Sequence, residues 1–311
     1  MEIVRAHHPA SHRSEFGDLS MEYRTISHPG IHNRQRKIAA VNDMTGFGRC
    51  SLAASIPIIS RLGVQCCAVP TAILSNHTGF ESFFFDDYTG RFRAYTEEWK
   101  KLGLRFEGIL TGFLGSAAQF AMVEQFLADF VSPETIVCVD PVMGDYGKIY
   151  SSYTDEMCQA MRALVRRAQI ITPNLTEACI LTDLNYHEGV WRRRELEELM
   201  SRLSALGPEK IVITGIPQGE FLANLSREGE GTISLTRQHR VGQQRSGTGD
   251  VFASVIAADA VNGVDFARSV RRASVFVKKC ILRSIELDIP ATDGVCFEEV
   301  LGELKKETTK P

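Results

Sequence analysis

The chain lacks several features that would assign it to a familiar class at once. No run of ~18 uninterrupted apolar residues occurs, so we expect no membrane-spanning helix and no membrane partner. The formal net charge is only −3, which excludes a protein that binds nucleic acid through overall positive charge. The motifs GxxxxGK[ST], GxSxG, HExxH and a complete GxGxxG are absent. P-loop NTPases, α/β-hydrolases, zincins and nicotinamide-dependent enzymes are therefore disfavoured.

Cysteine usage and the N-terminal segment also exclude some classes. None of the eight cysteines forms a CxxC pair, so zinc-ribbon and thioredoxin-like sites have no support. Several lie in apolar runs, as Cys138 does, and we expect free buried thiols in a reducing compartment, hence a cytoplasmic protein. Residues 1–36 lack hydrophobic periodicity and the apolar core of a secretory signal. We predict that this segment is a poorly ordered extension.

What is present is typical of one large α/β domain. Hydrophobic residues make up 44% and charged residues 23%, which is enough for a sizeable core. From residue 37 onward, short apolar runs alternate with helical patterns, and no linker or repeat interrupts them. We predict strands at 37–41, 64–69, 108–112, 135–139, 168–171 and 210–214, helices at 51–62, 117–130, 155–167, 191–206, 249–262 and 265–282, and a short antiparallel excursion near 232–235. Residues 37–311 should form a single domain with a mostly parallel sheet covered by helices.

The strongest chemical signal is a glycine-rich segment directly before an apolar helix, Gly247-Thr248-Gly249-Asp250. Glycines let backbone N–H groups approach an anion closely, and a helix N-terminus favours negative charge. We call this set of backbone N–H groups an anion-binding nest. A carboxylate beside it could act as a base that takes a proton from an attacking hydroxyl during phosphoryl transfer. Ordinary helix capping explains the same residues equally well when the segment is considered alone.

Acidic and amide side chains follow two other predicted strands. Asp140 and Asp145 come after one strand, and Asn174 and Glu177 after the next. In parallel sheets ligands bind beyond the carboxyl ends of the strands, so these groups could hold hydrated Mg²⁺ beside phosphates. The alternatives are a strand-ending turn at Asp140 and a helix start with Glu177 in its first turn.

Two further strand ends carry polar groups beside an aromatic ring. The first is the segment 75–79, Ser-Asn-His-Thr-Gly, and the second is Thr111-Gly112-Phe113. Such groups suit a flat polar heterocycle, although a polar turn or a core aromatic also accounts for them. A lone histidine such as His77 is more often structural than catalytic.

Taken together and in this order, these segments resemble the pyridoxal kinase family of the ribokinase-like superfamily, over about residues 37–284. The Gly-Thr-Gly-Asp element is typical of the whole superfamily, whereas segment 75–79 narrows the resemblance to vitamin B6 kinases. The segment 42–51, Asn-Asp-Met-Thr-Gly-Phe-Gly-Arg-Cys-Ser, is similar to the pyridoxamine/pyridoxal kinase branch of Gram-positive bacteria. The resemblance implies a three-layer α/β/α sandwich.

The resemblance also implies an activity, the transfer of the ATP γ-phosphate to the 5′-hydroxyl of pyridoxal, pyridoxine or pyridoxamine. It assigns the catalytic base and the anion hole to Asp250, Gly247, Thr248 and Gly249. It assigns substrate contacts to Asn42, Thr45, Leu74, Thr78, Phe113 and Asp250. It assigns ATP contacts to Asp140, Asn174, Glu177, Thr214, Thr248 and Gly249. Mg²⁺ would be held, largely through water, by Asp140, Asp145 and Glu177.

The same resemblance implies a homodimer and leaves open a potassium ion as a second cofactor. The chain departs from the family pattern in two places. Asn42-Asp43 stands where many members have Ser-His or Ser-x-Val, and Phe113 replaces the tyrosine of a Thr-Gly-Tyr segment. Two alternatives stay open: a hydroxymethylpyrimidine kinase of the same fold, and a B6-binding protein without turnover. The first-strand loop disfavours the former, and retention of Asp250 disfavours the latter.

Overall fold

The computed structural model describes residues 34–307, which form a large sheet with helices on both of its faces. The predicted extension therefore lies outside the described residues, apart from residues 34–36. The strands are β1 (Lys37–Phe47), β2 (Gln65–Asn76), β3 (Phe85–Asp87), β4 (Gly108–Thr111), β5 (Ile136–Val139), β6 (Gly144–Asp145), β7 (Lys148–Ile149), β8 (Ile170–Ile171), β9 (Lys210–Gln218), β10 (Phe221–Glu228) and β11 (Ser234–His239). The helices are α1 (Ser51–Arg61), α2 (Thr89–Lys101), α3 (Ala117–Phe130), α4 (Asp155–Val165), α5 (Leu175–Thr182), α6 (Arg193–Ser204), α7 (Thr248–Asn262) and α8 (Phe266–Glu286).

The main sheet has nine strands in the order β11-β10-β9-β8-β5-β4-β1-β2-β3. The six central strands, β9 to β2 in this order, run parallel, and the antiparallel strands lie at the two edges. The predicted mostly parallel sheet is confirmed. Because β2 lies on one side of β1 and β4 on the other, the strand order reverses at β1. Such a switch point opens a crevice at the carboxyl ends of the strands, where ligands bind.

Successive residues of the parallel strands face opposite sides of the sheet, and each side is apolar. Ile38 and Leu110 belong to a core that also includes side chains of α1, α7 and α8. Their neighbours Ala39 and Ile109 belong to a second core, shared with α2 to α6. Strands buried on both faces carry continuous apolar runs, which is why they were recognisable from the sequence. The result is three layers, helices on sheet on helices.

Helix α7, which begins at the Gly-Thr-Gly-Asp segment, is deeply buried. Eleven of its fifteen residues are buried, so it is apolar on nearly all sides. Burial of a side chain such as Val255 or Ile256 stabilises the fold by roughly 1.5–3 kcal/mol. This packing holds the N-terminus of α7, with the Gly-Thr-Gly-Asp segment, in one place relative to the strand ends.

The sequence prediction was wrong about where the first two strands end. β1 was expected to stop at Val41 and β2 at Val69, but both continue, paired in parallel, to Phe47 and Asn76. A shift in pairing register after Asn42 lets the strand pass through its polar residues. The segment 75–79 therefore begins inside β2 and not after it.

The elements without a prediction include α2, β3 and the β6–β7 hairpin. Helix α2 was missed although Phe92, Tyr95 and Trp99 have helical spacing and pack against the core, because its other residues are mostly polar or charged. β3 and the β6–β7 hairpin are two or three residues long, which is too short for a periodic pattern.

The environment of the thiols agrees with the sequence interpretation. All eight cysteines lie in the described region and are free, and six of them are buried. Cys66 and Cys67 are half-buried. Among the helices of residues 34–307, none combines the length and the apolar character needed to cross a membrane.

Candidate active site

A cavity of about 680 Å³ opens at the carboxyl ends of the parallel strands, beside the N-terminus of α7. Its volume lies in the range of small-molecule sites in proteins. Most of the residues expected at the site line this cavity: Asn42, Phe113, Asp140, Asp145, Asn174, Glu177, Thr214, Gly247, Thr248, Gly249 and Asp250. The topology therefore brings together residues that are more than 200 positions apart in the chain.

Three residues expected to contact the substrate do not line this cavity. Thr45 is fully buried, and its hydroxyl donates a hydrogen bond of 2.6 Å to Asp43 Oδ2. Leu74 is buried in the sheet, and Thr78 is exposed on the loop that follows β2. The neighbouring His77 reaches the cavity instead. Thr45 and Leu74 lie opposite each other in the β1–β2 pairing, which continues beyond the point where both strands were expected to end.

Asn42 is oriented by two backbone groups. Its Oδ1 accepts hydrogen bonds from the N–H of Asp43, at 3.0 Å, and of Phe113, at 2.8 Å. The amide nitrogen must then point the other way, because Asn has one acceptor oxygen and one donor NH₂ group. Asn42 Nδ2 donates to Asp250 Oδ1 at 3.1 Å. The first strand thus supplies a fixed donor for the carboxylate of Asp250.

The carboxylate of Asp250 is suited to accept a proton at neutral pH. Burial raises its pKa to about 6, and the negative charge of Asp43 adds to that increase. Hydrogen bonds from the backbone of Ser51 and from Asn42 act in the opposite direction. A general base works best when its pKa lies near the working pH, while it is still mostly ionised. Asp250 meets both conditions just above pH 7.

The backbone before Asp250 forms an anion-binding nest. Gly247 has φ +81°, and a Cβ at this position would lie 2.0 Å from the carbonyl oxygen of Arg49, so only glycine fits. The first hydrogen bond of α7 runs from Val251 N–H to Gly247 O at 3.0 Å. The N–H groups of residues 248–250 therefore have no acceptor within the helix. They face the cavity at the positive end of the helix dipole.

Asp140 follows β5 and faces the same nest. Thr172 Oγ1 donates to Asp140 Oδ1 at 2.8 Å. A Cβ built on Gly249 would lie 3.8 Å from the other oxygen, Oδ2, which places that oxygen beside the start of α7. Burial and the nearby charge of Asp250 raise the pKa of Asp140 to about 7. Because the two carboxylates repel each other when both are ionised, a cation bound between or beside them would stabilise their charged forms.

We expect Asp140→Asn to raise the thermal stability of the ligand-free protein at pH 8. The pKa of this carboxyl, about 7 in the folded state, lies above its value near 4 in an unfolded chain. The folded protein thus binds the proton more tightly, so stability falls as the pH rises from 4 through 7. Removing the charge should raise the Tm by about 3–6 °C at pH 8 and by clearly less at pH 5.

Asp155→Asn is the matched control, because Asp155 is an exposed acid in the first turn of α4, away from the cavity. It should not raise the Tm at either pH. Thermal melts of both variants at the two pH values test the prediction. A lower Tm for the Asp140 variant at pH 8 would contradict it.

Asn174 and Glu177 cap the N-terminus of α5 with a capping box. Glu177 N–H donates to Asn174 Oδ1 at 2.9 Å, and Asn174 N–H donates to Glu177 Oε2 at 2.8 Å. Glu177 Oε1 also accepts from Met143 N–H at 3.2 Å, so the pair joins the loop after β5 to α5. The helix-start interpretation of this segment is confirmed. Burial, and next the charge of Asp140, raise the pKa of Glu177 well above its ordinary value.

The acids fit a hydrated Mg²⁺ better than a metal enclosed by protein ligands. Within residues 34–307, no group of three or more His, Cys, Asp or Glu side chains surrounds a point where a metal ion would bind directly. Asp145 Oδ1 accepts from Tyr146 N–H at 2.8 Å, and its Oδ2 accepts from the amide of Gln244. Mg²⁺ bound beside phosphates uses one or two carboxylates and keeps several waters. Asp140, with its free oxygen toward the nest, fits that role.

The wall formed by β10 and α8 was missed from the sequence. It comprises Leu222, Asn224, Val277, Lys278 and Ile281. These residues are spaced along one strand and along an amphipathic helix, where apolar side chains are normally part of the core. No local motif could have indicated them, because only the packing of α8 against the sheet places them at the cavity.

His77 is held at both of its ring nitrogens. Nδ1 accepts from the N–H of Gly79 at 3.1 Å, and Nε2 lies 2.6 Å from the carbonyl oxygen of Thr292. Nε2 must therefore carry the proton and donate it to Thr292. This arrangement fits the expected structural role better than a catalytic one.

A mostly parallel three-layer sandwich with a helix N-terminal nest and a basic carboxylate at its switch point is suited to phosphoryl transfer. Comparisons with known proteins agree. A family model described as phosphomethylpyrimidine kinase matches residues 50–292. Pyridoxal kinase PdxY of Deinococcus radiodurans is 26% identical over 230 residues, which cover 71% of this chain and 77% of that protein. Pyridoxal kinase of Ovis aries is 30% identical over 234 residues, 66% of this chain and 71% of that protein.

A solved structure extends the similarity to nearly the whole fold. It comes from Bacteroides thetaiotaomicron, is described as a phosphomethylpyrimidine kinase and was crystallised with pyridoxal. It is 36% identical, has a TM-score of 0.84 and covers 87% of this chain and 96% of its own. The chain belongs to the pyridoxal kinase family of the ribokinase-like superfamily and is a kinase.

Proposed function

We propose that the protein transfers the γ-phosphoryl group of ATP to the 5′-hydroxyl of vitamin B6 vitamers. The observation that carries this proposal is the position of Asp250. Its carboxylate has a pKa near 6, lies in the first turn of α7 directly beside the anion-binding N–H groups, and receives the amide of Asn42. A protein that only binds phosphates needs the nest but no base within it.

The chemistry follows from this juxtaposition. Asp250 accepts the proton of the vitamer hydroxyl as its oxygen attacks the γ-phosphorus. The bond from that phosphorus to the β–γ bridging oxygen breaks, and ADP leaves with its electron pair. The N–H groups of residues 248–250 stabilise the negative charge on the transferring group. The nest needs no reorganisation during the step, because Gly247 and the buried body of α7 hold it in place.

Mg²⁺ is the metal that this site would use. We assign Asp140, Asp145 and Glu177 to hold it, mostly through water, and Asn174, Thr214, Thr248 and Gly249 to contact ATP. When bound, Mg²⁺ neutralises charge on the β- and γ-phosphates. Asp140 fits best, because one of its oxygens is beside Gly249 while the other is held by Thr172.

The vitamer ring would occupy the part of the cavity beside the middle of β1 and the end of β4. Asn42 and the half-buried ring of Phe113 lie there, with His77 on the loop after β2. The similarity to a structure that holds pyridoxal supports a pyridine ring in this place. Thr45, Leu74 and Thr78, which the resemblance also assigns to this pocket, stay predictions.

A second candidate substrate is hydroxymethylpyrimidine, favoured by the description of the matching family model. One assay separates the candidates: ATP consumption measured in parallel with pyridoxal, pyridoxamine, pyridoxine and hydroxymethylpyrimidine. We expect turnover of at least one B6 vitamer, with a higher kcat/KM than for hydroxymethylpyrimidine. Turnover of the pyrimidine alone would replace the proposal, and tight vitamer binding without turnover would indicate a non-catalytic binding protein.

The homodimer stays a prediction, and one surface suits it. Exposed apolar side chains lie along the β1–β2–β3 edge of the sheet: Met44, Phe47, Ile73, Phe83, Phe84 and Phe85. Clustered exposed aromatic residues of this kind are typical of protein interfaces.

A further inference from the structure

Arg245 is a buried cation at the edge of the active site. It is only 6% exposed and lines the cavity two residues before Gly247. Its Nη1 donates to the carbonyl oxygens of Ile289, at 2.7 Å, and Pro290, at 3.1 Å. Its Nε is buried and has no hydrogen-bond partner among the described residues. The proposed reaction gives this residue no role so far.

A buried guanidinium without a carboxylate partner is costly for a fold. No ion pair of Arg245 occurs within residues 34–307, and two backbone carbonyls compensate only part of a full charge. A fold retains such a group when something else benefits from the charge. Arg245 lines the same cavity as the nest of residues 248–250, where a bound phosphate would bring negative charge.

Arg245 also ties two backbone segments together. Its own carbonyl accepts from Thr248 Oγ1 at 3.3 Å, so the residue is part of the nest loop. Its side chain bonds the segment 289–293, whose other carbonyls accept from His77 and from Arg49 Nη1, the latter at 3.1 Å. Three cavity loops are thereby fastened to one segment after α8.

We propose that the guanidinium of Arg245 is a built-in cation of the phosphoryl-transfer site, which positions the nest loop and occupies the carbonyl oxygens that a monovalent metal ion would otherwise bind. Backbone carbonyls are the ligands that replace the hydration shell of K⁺ in proteins. Here the carbonyls of Ile289 and Pro290 already accept from Arg245, so the potassium ion that the resemblance leaves open does not fit between them. This inference rests on the proposed kinase activity. Arg245 acts on the nest and is a positioning residue.

The test compares the wild type with Arg245→Met and Arg245→Lys. At constant ionic strength, the wild type should show equal kcat, within twofold, in potassium and tetramethylammonium chloride. Arg245→Met should lower kcat by roughly tenfold or more, with little change in the KM for the vitamer, because the nest loop that Arg245 positions would no longer hold its N–H groups on the transferring group. Potassium should then activate this variant, since its carbonyls are free. Arg245→Lys should retain more activity than Arg245→Met.

Arg61→Met is the matched control, because Arg61 also donates to two carbonyls, those of Leu301 and Gly302, but on an exposed surface. Its kcat should stay unchanged in both salts. ADP affinity, measured by calorimetry in each salt, gives a readout independent of turnover: potassium should improve it only in Arg245→Met.

Activation of the wild type by potassium, several-fold or more, would overturn the inference, and so would an Arg245→Met variant with full kcat. If Arg245→Met does not fold, the wild-type salt comparison and the lysine variant decide. A wild type that phosphorylates no vitamer in any salt would instead overturn the proposed function.

Discussion

Asp250→Asn should lower kcat by roughly 10² or more, the scale expected when a general base is lost. Affinity for the vitamer should change much less, because Asn keeps the size of the side chain and its contact with Asn42. The variant should remain folded, since burial already raises the pKa of Asp250 to about 6 and removal of the charge relieves that cost. Steady-state kinetics and vitamer binding by calorimetry measure the two effects.

Asp155→Asn again provides the control, because Asp155 also lies in the first turn of a helix but is exposed and remote from the cavity. It separates loss of a base from loss of a favourable charge at a helix N-terminus. Its kcat should be unchanged. Near wild-type kcat in Asp250→Asn would remove Asp250 as the base and leave the nest as a binding device only.

Gly247→Ala should reduce kcat by about 10²–10³, the cost of losing donors that stabilise a transition state. The residue has φ +81°, which costs an L-residue about 1–2 kcal/mol. The added Cβ would also lie 2.0 Å from Arg49 O, so the loop must move. The N–H groups of residues 248–250 would then no longer face the same point as Asp250. Kinetics together with a thermal melt would show lower kcat and lower Tm.

Gly219→Ala is a matched control for backbone strain. It has φ +64°, but nothing lies within 4 Å of its added Cβ, so only the strain remains. Its Tm should fall slightly while its kcat stays unchanged. If Gly247→Ala behaved in the same way, the close approach to Arg49 would have no functional meaning.

Much of the candidate site could be predicted because its residues follow strands that are easy to recognise. Asp140 ends an apolar run, and Glu177 stands three residues after Asn174, a spacing typical of a helix start. The structure shows that this helix start and the cavity wall are the same residues. Asn174 and Glu177 therefore both cap the helix and line the cavity.

The missed features depend on contacts between distant segments. β1 and β2 continue past their polar residues because they pair with each other, and this pairing sets the buried Thr45 opposite the buried Leu74. The sequence shows Arg245 as one more polar residue near glycines. Only the return of the chain after α8 places two carbonyl oxygens against its guanidinium.

Hydrophobic period, glycine positions and strand-ending polar residues are local properties, so the amino-acid sequence by itself determined the α/β class, the parallel sheet and the Gly-Thr-Gly-Asp nest. The tertiary structure alone decided which polar groups meet. It set the shared cavity, the amide of Asn42 directed at Asp250, the burial and the like charge of Asp250 that raise the pKa of Asp140, and the buried charge of Arg245. The physical reason is that burial, electrostatic coupling and hydrogen-bond geometry depend on distances in space, which spacing along a chain does not specify.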